Sequence, residues 1–170
     1  MKNQTNAERK SERELVSSRI INGPSRLVFE AWTNPELFKK WWVPKSAPMT
    51  LVSCEMNVRT GGTYRLVFSA GGQSAEFFGK YLEVTPHSRL VWTNDEGGVD
   101  AATITTVTFE EVNGTTLVIV HDLYPSKEAL DDAITTGSSG AMPEQLDQLE
   151  LLIVNQRNLR PEKSQRSVAT

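Results

Sequence analysis

The side chains able to do covalent, acid–base or metal chemistry are few: two histidines, one cysteine and a scatter of carboxylates in 170 residues. His121 lies in the strand-like stretch Thr116–Leu123, sharing one face with Leu117 and Ile119; Val118, Val120 and Asp122 share the other. If the first set turns inward, His121 is a polar group inside an apolar hollow, the usual way a ligand site fixes orientation. The plainer reading is a histidine hydrogen-bonded near a strand end. His87 follows Pro86 in a turn and has no comparable surroundings. Histidines this far apart, with no clustered carboxylates, do not make a metal centre, and no cofactor is expected. Cys54 adjoins Glu55, whose charge would raise the thiol pKa, so it reads as an inert, partly buried thiol.

Glu55, Arg59, Arg65, Glu76 and Glu83 are spread over neighbouring strand segments, where cross-strand ion pairs on a wet face account for them. There is no nucleophile elbow, P-loop or dinucleotide fingerprint. Gly71-Gly72 and Gly97-Gly98 lie at turns and open no helix, so they do not cradle phosphate. No catalytic residue is assigned. The most distinctive pair is Trp41-Trp42, because adjacent indoles on a helix cannot both face the core. One packs, and the other lines a cavity entrance or lies on the surface. Lys45, just after Pro44, would place an ammonium at a pocket mouth for an acidic ligand or simply be solvated.

The elements that position these residues follow from punctuation and period. Leu15–Ile21 reads as a strand closed by Asn22-Gly23-Pro24. Leu27, Val28, Ala31 and Trp32 recur at helical spacing, and Asn34-Pro35 ends that helix and opens a second, carrying Leu37, Phe38, Trp41 and Trp42. Strands follow at Met49–Asn57, Thr63–Ala70, Gln73–Thr85, Arg89–Asn94, Ala102–Val112 and Thr115–Leu123, with a loop at Asp95–Asp100. Gly71-Gly72 and Asn113-Gly114 are hairpin turns, and such short connections require an antiparallel meander. Ser126 caps a short turn, Gly137–Gly140 interrupts it, and a long helix begins near Ala141. Leu146, Leu149, Leu152 and Ile153 form its apolar stripe, broadened by Leu151, with Asp147, Gln148 and Glu150 facing water.

The domain spans 15–159. Residues 1–14 read as a flexible, solvated arm, in which Thr5 and Glu8 match a capping box, and 160–170 as a disordered tail opened by Pro161. With 38% hydrophobic and 23% charged residues the chain has the balance of a compact domain. A net charge of -3 argues against a nucleic-acid partner. The polar N-terminus and the lack of a run approaching roughly 20 apolar residues argue against export and membrane insertion, so the expected compartment is the cytoplasm.

The motifs go further. Phe29-Glu30-Ala31-Trp32-Thr33-Asn34-Pro35-Glu36 followed by Trp41-Trp42-Val43-Pro44-Lys45, then Cys54–Tyr64, Gly79–Val84 and Arg89–Thr93, resemble in order the signatures of one family. It is the family of proteins like the activator of the heat shock protein 90 ATPase, within the START-like (SRPBCC, Bet v 1-like) superfamily. The resemblance, from about Leu15 to Val154, implies an α+β helix-grip fold. In that fold a curved antiparallel sheet of about six to seven strands wraps a long C-terminal helix, with two short helices after the first strand. Many members carry Gly-Trp ahead of the Leu-x-x-Leu of the last helix. Here Pro143-Glu144-Gln145 precedes Leu146 and Leu149, which would reshape the pocket mouth.

A sheet curved round one helix leaves a cavity, so the resemblance makes residues of its concave face pocket-lining by default. The candidates are Trp41, Trp42, Tyr64, Leu66, Phe68, Phe77, Tyr81, Trp92 and His121, opposite Leu149 and Leu152. A one-residue slip of register would turn each strand's choice inside out. Three functions compete. The first is a binder of a small hydrophobic or amphipathic molecule. The second is a cyclase, dehydratase or hydrolase on a ring-containing substrate, with His121 and Tyr64 or Tyr81 as acid or base. The third is a partner of the heat shock protein 90 machinery. The residues favour the binder and lean away from an enzyme, and a homodimer that buries one of the two indoles is a further possibility.

Overall fold

The computed structural model describes residues 4–95 and 101–169, with side chains described as far as 158 except at 138. Its strands are β1 (Asn6–Arg9), β2 (Glu14–Ile21), β3 (Thr50–Met56), β4 (Thr63–Ala70), β5 (Gln73–Thr85), β6 (Arg89–Asn94), β7 (Thr103–Val112) and β8 (Thr115–Leu123). All join one antiparallel sheet in the order β1-β2-β8-β7-β6-β5-β4-β3. Helices α1 (Ser25–Thr33) and α2 (Pro35–Trp41) follow β2, and α3 (Lys127–Thr136), a 3-10 turn at Ser138–Ala141 and α4 (Met142–Ala169) complete the helix-grip arrangement.

Local chemistry sets most boundaries. The β7–β8 turn has Asn113 at φ 53° and Gly114 at φ 81°, the left-handed pair that a two-residue hairpin demands. The Asn34 side chain accepts a hydrogen bond from the Glu36 amide at 2.9 Å, with Pro35 at the first helical position. Helix α1 has no side-chain cap of its own. Glu111, distant in sequence, supplies one by accepting from the Ser25 amide at 2.8 Å.

β5 bends the sheet. Its residues 73–80 pair with β4, and from Tyr81 onward it pairs with β6, across a bulge that leaves Leu82 exposed. The two neighbours come so close at this transfer that a Cβ on Gly79 would lie 1.9 Å from the Thr93 carbonyl oxygen. The β3–β4 turn docks on the same point, where Gly61 N–H donates to the Tyr81 carbonyl and Tyr81 N–H to the Gly62 carbonyl, both at 2.8 Å.

The core lies between the concave face of the sheet and the helices. Leu146, Leu149 and Ile153 of α4 are fully buried against Ile21, Val28, Val107, Val118 and Val120. One strand contributes a charge to this interface. Arg19 of β2 is buried, donating from Nη2 to Glu150 at 2.6 Å and from Nη1 to Asp147. Glu150 also accepts from the Asn22 amide at 3.0 Å.

Several expectations are thereby corrected. Glu150 and Gln148 do not face water, because a buried arginine and a set of unpaired backbone groups need partners there. Leu151 does not broaden the stripe; it is exposed on the far side of the helix. The expected loose arm contains an eighth strand, since Asn6–Arg9 pairs with Leu15–Ser18 and the capping-box turn does not form. Edge pairing satisfies backbone groups without an apolar face, so hydrophobic period carries no trace of it. Helix α4 continues beyond 159 to Ala169. A lone proline at 161 removes one backbone donor and does not stop a helix already nucleated. The loop expected at Asp95–Asp100 lies, past Asp95, outside the described residues.

Two substitutions test this account by urea unfolding. Arg19→Ala leaves the Glu150 carboxylate buried without the guanidinium that offsets its charge and should cost about 3 kcal/mol or more; a loss below about 1 kcal/mol would show the interface to be wet. Gly79→Ala should cost roughly 2 kcal/mol, because the clash is with backbone.

Candidate functional site

Trp32 of α1 sits at the centre of an aromatic knot. Its ring centroid lies 4.6 Å from Trp41, 5.9 Å from Trp42 and 5.7 Å from Trp92. Trp41 is fully buried, and its indole N–H donates to the Ala31 carbonyl at 2.9 Å, tying α2 to α1. Trp42, one step on, stacks on Phe38 at 4.7 Å and 25° and keeps part of its surface free.

That free surface borders two neighbouring spaces. An inner niche of about 70 Å³ is walled by Trp32, Phe38, Trp42, Met56, Tyr64, Leu66, Phe77, Tyr81, Trp92 and Asn94. A larger groove of about 440 Å³ shares Trp42, Phe77, Trp92 and Asn94 with the niche. It runs on past Val43, Phe68, Thr105, Asp122 and Tyr124 to Met142 and Gln145 at the start of α4. The groove falls within the size range of small-molecule sites.

Side chains of α4 hold the segment after α2 in place and so shape the mouth. Gln148 Nε2 donates to the carbonyls of Trp41 (2.8 Å) and Val43 (2.9 Å), and its Oε1 accepts from the Lys45 amide at 2.8 Å. Gln145 donates to the Trp42 carbonyl at 2.6 Å, and Glu144 accepts from the Ser46 amide at 2.9 Å. These bonds satisfy the carbonyls that α2 leaves orphaned at its end. Gln145, in the Pro143-Glu144-Gln145 stretch that precedes Leu146 where the resemblance would lead one to look for Gly-Trp, lines the groove.

The concave-face reading of β4, β5 and β6 places Trp42, Tyr64, Leu66, Phe77, Tyr81 and Trp92 on the niche and Phe68 on the groove. Four candidates stand elsewhere. Trp41 and Leu149 are solid core, and Leu152 packs half-buried against it. His121 is on the opposite face of the sheet, because Thr116, Val118 and Val120 are the inward set of β8. There its Nε2 lies 2.7 Å from a Glu14 carboxylate oxygen, so the suggested acid–base pairing with Tyr64 or Tyr81 is not assembled. Lys45 is exposed and contributes nothing to the walls.

Sequence reasoning missed Trp32, whose helical spacing marked it only as core, and Asp122, which shares the inward face of β8. Asp122 accepts the Thr105 hydroxyl at 2.6 Å. Burial raises its pKa, opposed by that hydrogen bond and by the charge of His121. Burial also pushes Tyr124 up to about 12, helped by Asp122, and holds the Tyr81 phenol well above its usual value. The Tyr64 hydroxyl is committed to the Thr93 carbonyl at 2.6 Å. The Cys54 thiol is raised chiefly by burial; Glu36 contributes and Lys39 opposes. Among the described residues no group of His, Cys, Asp and Glu could hold a metal ion.

A sequence model of the "Activator of Hsp90 ATPase homolog 1-like protein" family matches residues 22–153. No curated protein matches. Among solved structures, a protein from Rhodobacter sphaeroides superposes with a TM-score of 0.81 at 20% identity, over 89% of this chain and 99% of that one. One from Nitrosomonas europaea gives 0.78 at 24%, over 88% and 99%. One from Staphylococcus epidermidis gives 0.73 at 26%, over 89% and 94%.

The placement of the two indoles is testable by denaturation. Trp41→Ala should cost about 3–5 kcal/mol, the range for emptying a full aromatic site, and Trp42→Ala clearly less. His121→Ala breaks only a surface pair and should cost below about 1 kcal/mol. Equal losses at 41 and 42 would contradict the assignment.

Proposed function

The chain belongs to the activator of Hsp90 ATPase homolog 1-like family, and on that premise we propose that it is a binding protein for a small, largely apolar molecule held between the sheet and α4. The observation carrying this reading is the aromatic-walled hollow itself. An interior with three indoles and three tyrosines on its walls could have closed on itself, yet it keeps a groove of about 440 Å³ that shares four wall residues with an inner niche. Close packing is the norm in protein interiors, and a space of this size forgoes the dispersion energy that filling it would contribute. An occupant of matching shape recovers that energy. The few polar groups on the walls, Asp122, Thr105, Asn94, Gln145 and the tyrosines, would orient it. With His121 on the far face, the pairing of His121 with Tyr64 or Tyr81 that the enzyme alternative relied on is not assembled.

The test is mass spectrometry of small molecules released from protein purified gently from its native host, paired with a fluorescence titration using the apolar probe N-phenyl-naphthylamine. The expected results are a stoichiometric apolar compound and saturable probe binding. Phe77→Trp, which adds a second ring between niche and groove, should weaken probe binding by about tenfold or more while the far-ultraviolet spectrum is unchanged. An empty protein that does not bind the probe would overturn the reading; stimulation of the heat shock protein 90 ATPase by that empty protein would replace it with the chaperone role.

A further inference from the structure

We propose that the molecule this hollow accepts carries a protonated amine on an apolar body, and that Asp122 is the counter-charge that selects it. The inference rests on the ligand-binding reading and adds the chemical class. Among the described residues walling niche and groove, Asp122 is the one with a formal charge; no lysine, arginine or histidine stands beside it. The basic groups nearest in sequence and sheet are engaged elsewhere: Arg13, beside Tyr124, is off the walls and donates from Nε to the Tyr124 carbonyl at 2.8 Å. His121 is turned to the opposite face against Glu14 at 2.7 Å, and Arg19 is held by Glu150 and Asp147. Lys45, the one residue that suggested an acidic ligand, is off the wall.

The carboxylate is also built to receive a donor. Thr105 donates its hydroxyl to Oδ1 at 2.6 Å, orienting the group and leaving Oδ2 to accept from another partner. Trp42, Phe77 and Trp92 line the same groove, and aromatic rings attract a cation as well as an apolar body. An acidic ligand would meet like charge, and a purely apolar one would bury the carboxylate with only the Thr105 hydroxyl to compensate it. Burial already raises the Asp122 pKa, so a cation brought in by the ligand would relieve an existing electrostatic cost.

Three probes of one shape separate the possibilities by titration calorimetry on the full chain at neutral pH: naphthylmethylamine, methylnaphthalene and naphthoate. The amine should bind at least about tenfold tighter than methylnaphthalene, with naphthoate weakest, as a charge-assisted hydrogen bond implies. Asp122→Asn keeps the shape and the Thr105 contact, and should erase the amine preference, bringing naphthylmethylamine and methylnaphthalene to equal affinity. Equal binding of amine and methylnaphthalene by the natural chain, or a preference that survives in Asp122→Asn, overturns the inference and leaves the binding reading standing. If none of the three probes binds, the binding reading fails and the inference with it.

Discussion

The contact between Arg19 and the two acids of α4 is the constraint on which the rest of the structure depends. A guanidinium on the concave face of β2 cannot be left inside an apolar interface without partners, so α4 must present Asp147 and Glu150 to that point. This sets the rotation of the helix about its axis. With Glu150 directed at β2, Leu146, Leu149 and Ile153 fall on the core and Leu151 on solvent. It also sets the position of α4 along the sheet, because Glu150 simultaneously accepts from the Asn22 amide where β2 turns toward α1. The Arg19 Nε finds no partner among the described residues, so the clamp is costly as well as directional.

Once α4 is placed, its first turns determine what the aromatic segment can do. Glu144, Gln145 and Gln148 face the chain leaving α2, and their side chains take up backbone groups of residues 41–46. That leaves Trp41 locked in the core through Ala31 and swings Trp42 to the edge of the hollow. On the other side the β5 transfer, made possible by the missing side chain at Gly79, tilts Tyr81 against Tyr64, with ring centroids 5.7 Å apart. The hollow is the gap between these two rigid arrangements. Its walls are apolar because Trp32, Trp42, Tyr64, Phe77, Tyr81 and Trp92 converge there, and the one formal charge among its described lining residues is Asp122, beside Thr105.

Much of the architecture was legible in residue order. Strand, two short helices, meander and long helix were set by local signals: Asn34-Pro35 at a helix junction, Asn113-Gly114 and Gly71-Gly72 at hairpins, and alternation in β4 that put Tyr64, Leu66 and Phe68 on one face. Such signals act within a few residues, and so they can be read without knowing the partner. The family motifs added the closure of sheet around helix. β1 escaped notice because its pairing is purely backbone, and its side chains are all exposed.

What sequence alone determined, then, is the set of elements and the aromatic character of the surface they enclose. The tertiary structure decided which way each face turns and which polar groups end up inside. In β8 both alternating sets are apolar enough to be the core face, Leu117 and Ile119 against Val118 and Val120, so period two admits either choice. Pairing with β2 and β7 selects the second set, which sends His121 to the outer face and brings Asp122 to the groove. The same holds for Glu150 and Gln148, whose polarity predicts water until Arg19 and the end of α2 supply buried partners. A polar side chain's place depends on groups far away in the chain, because only the folded surroundings can compensate its loss of water.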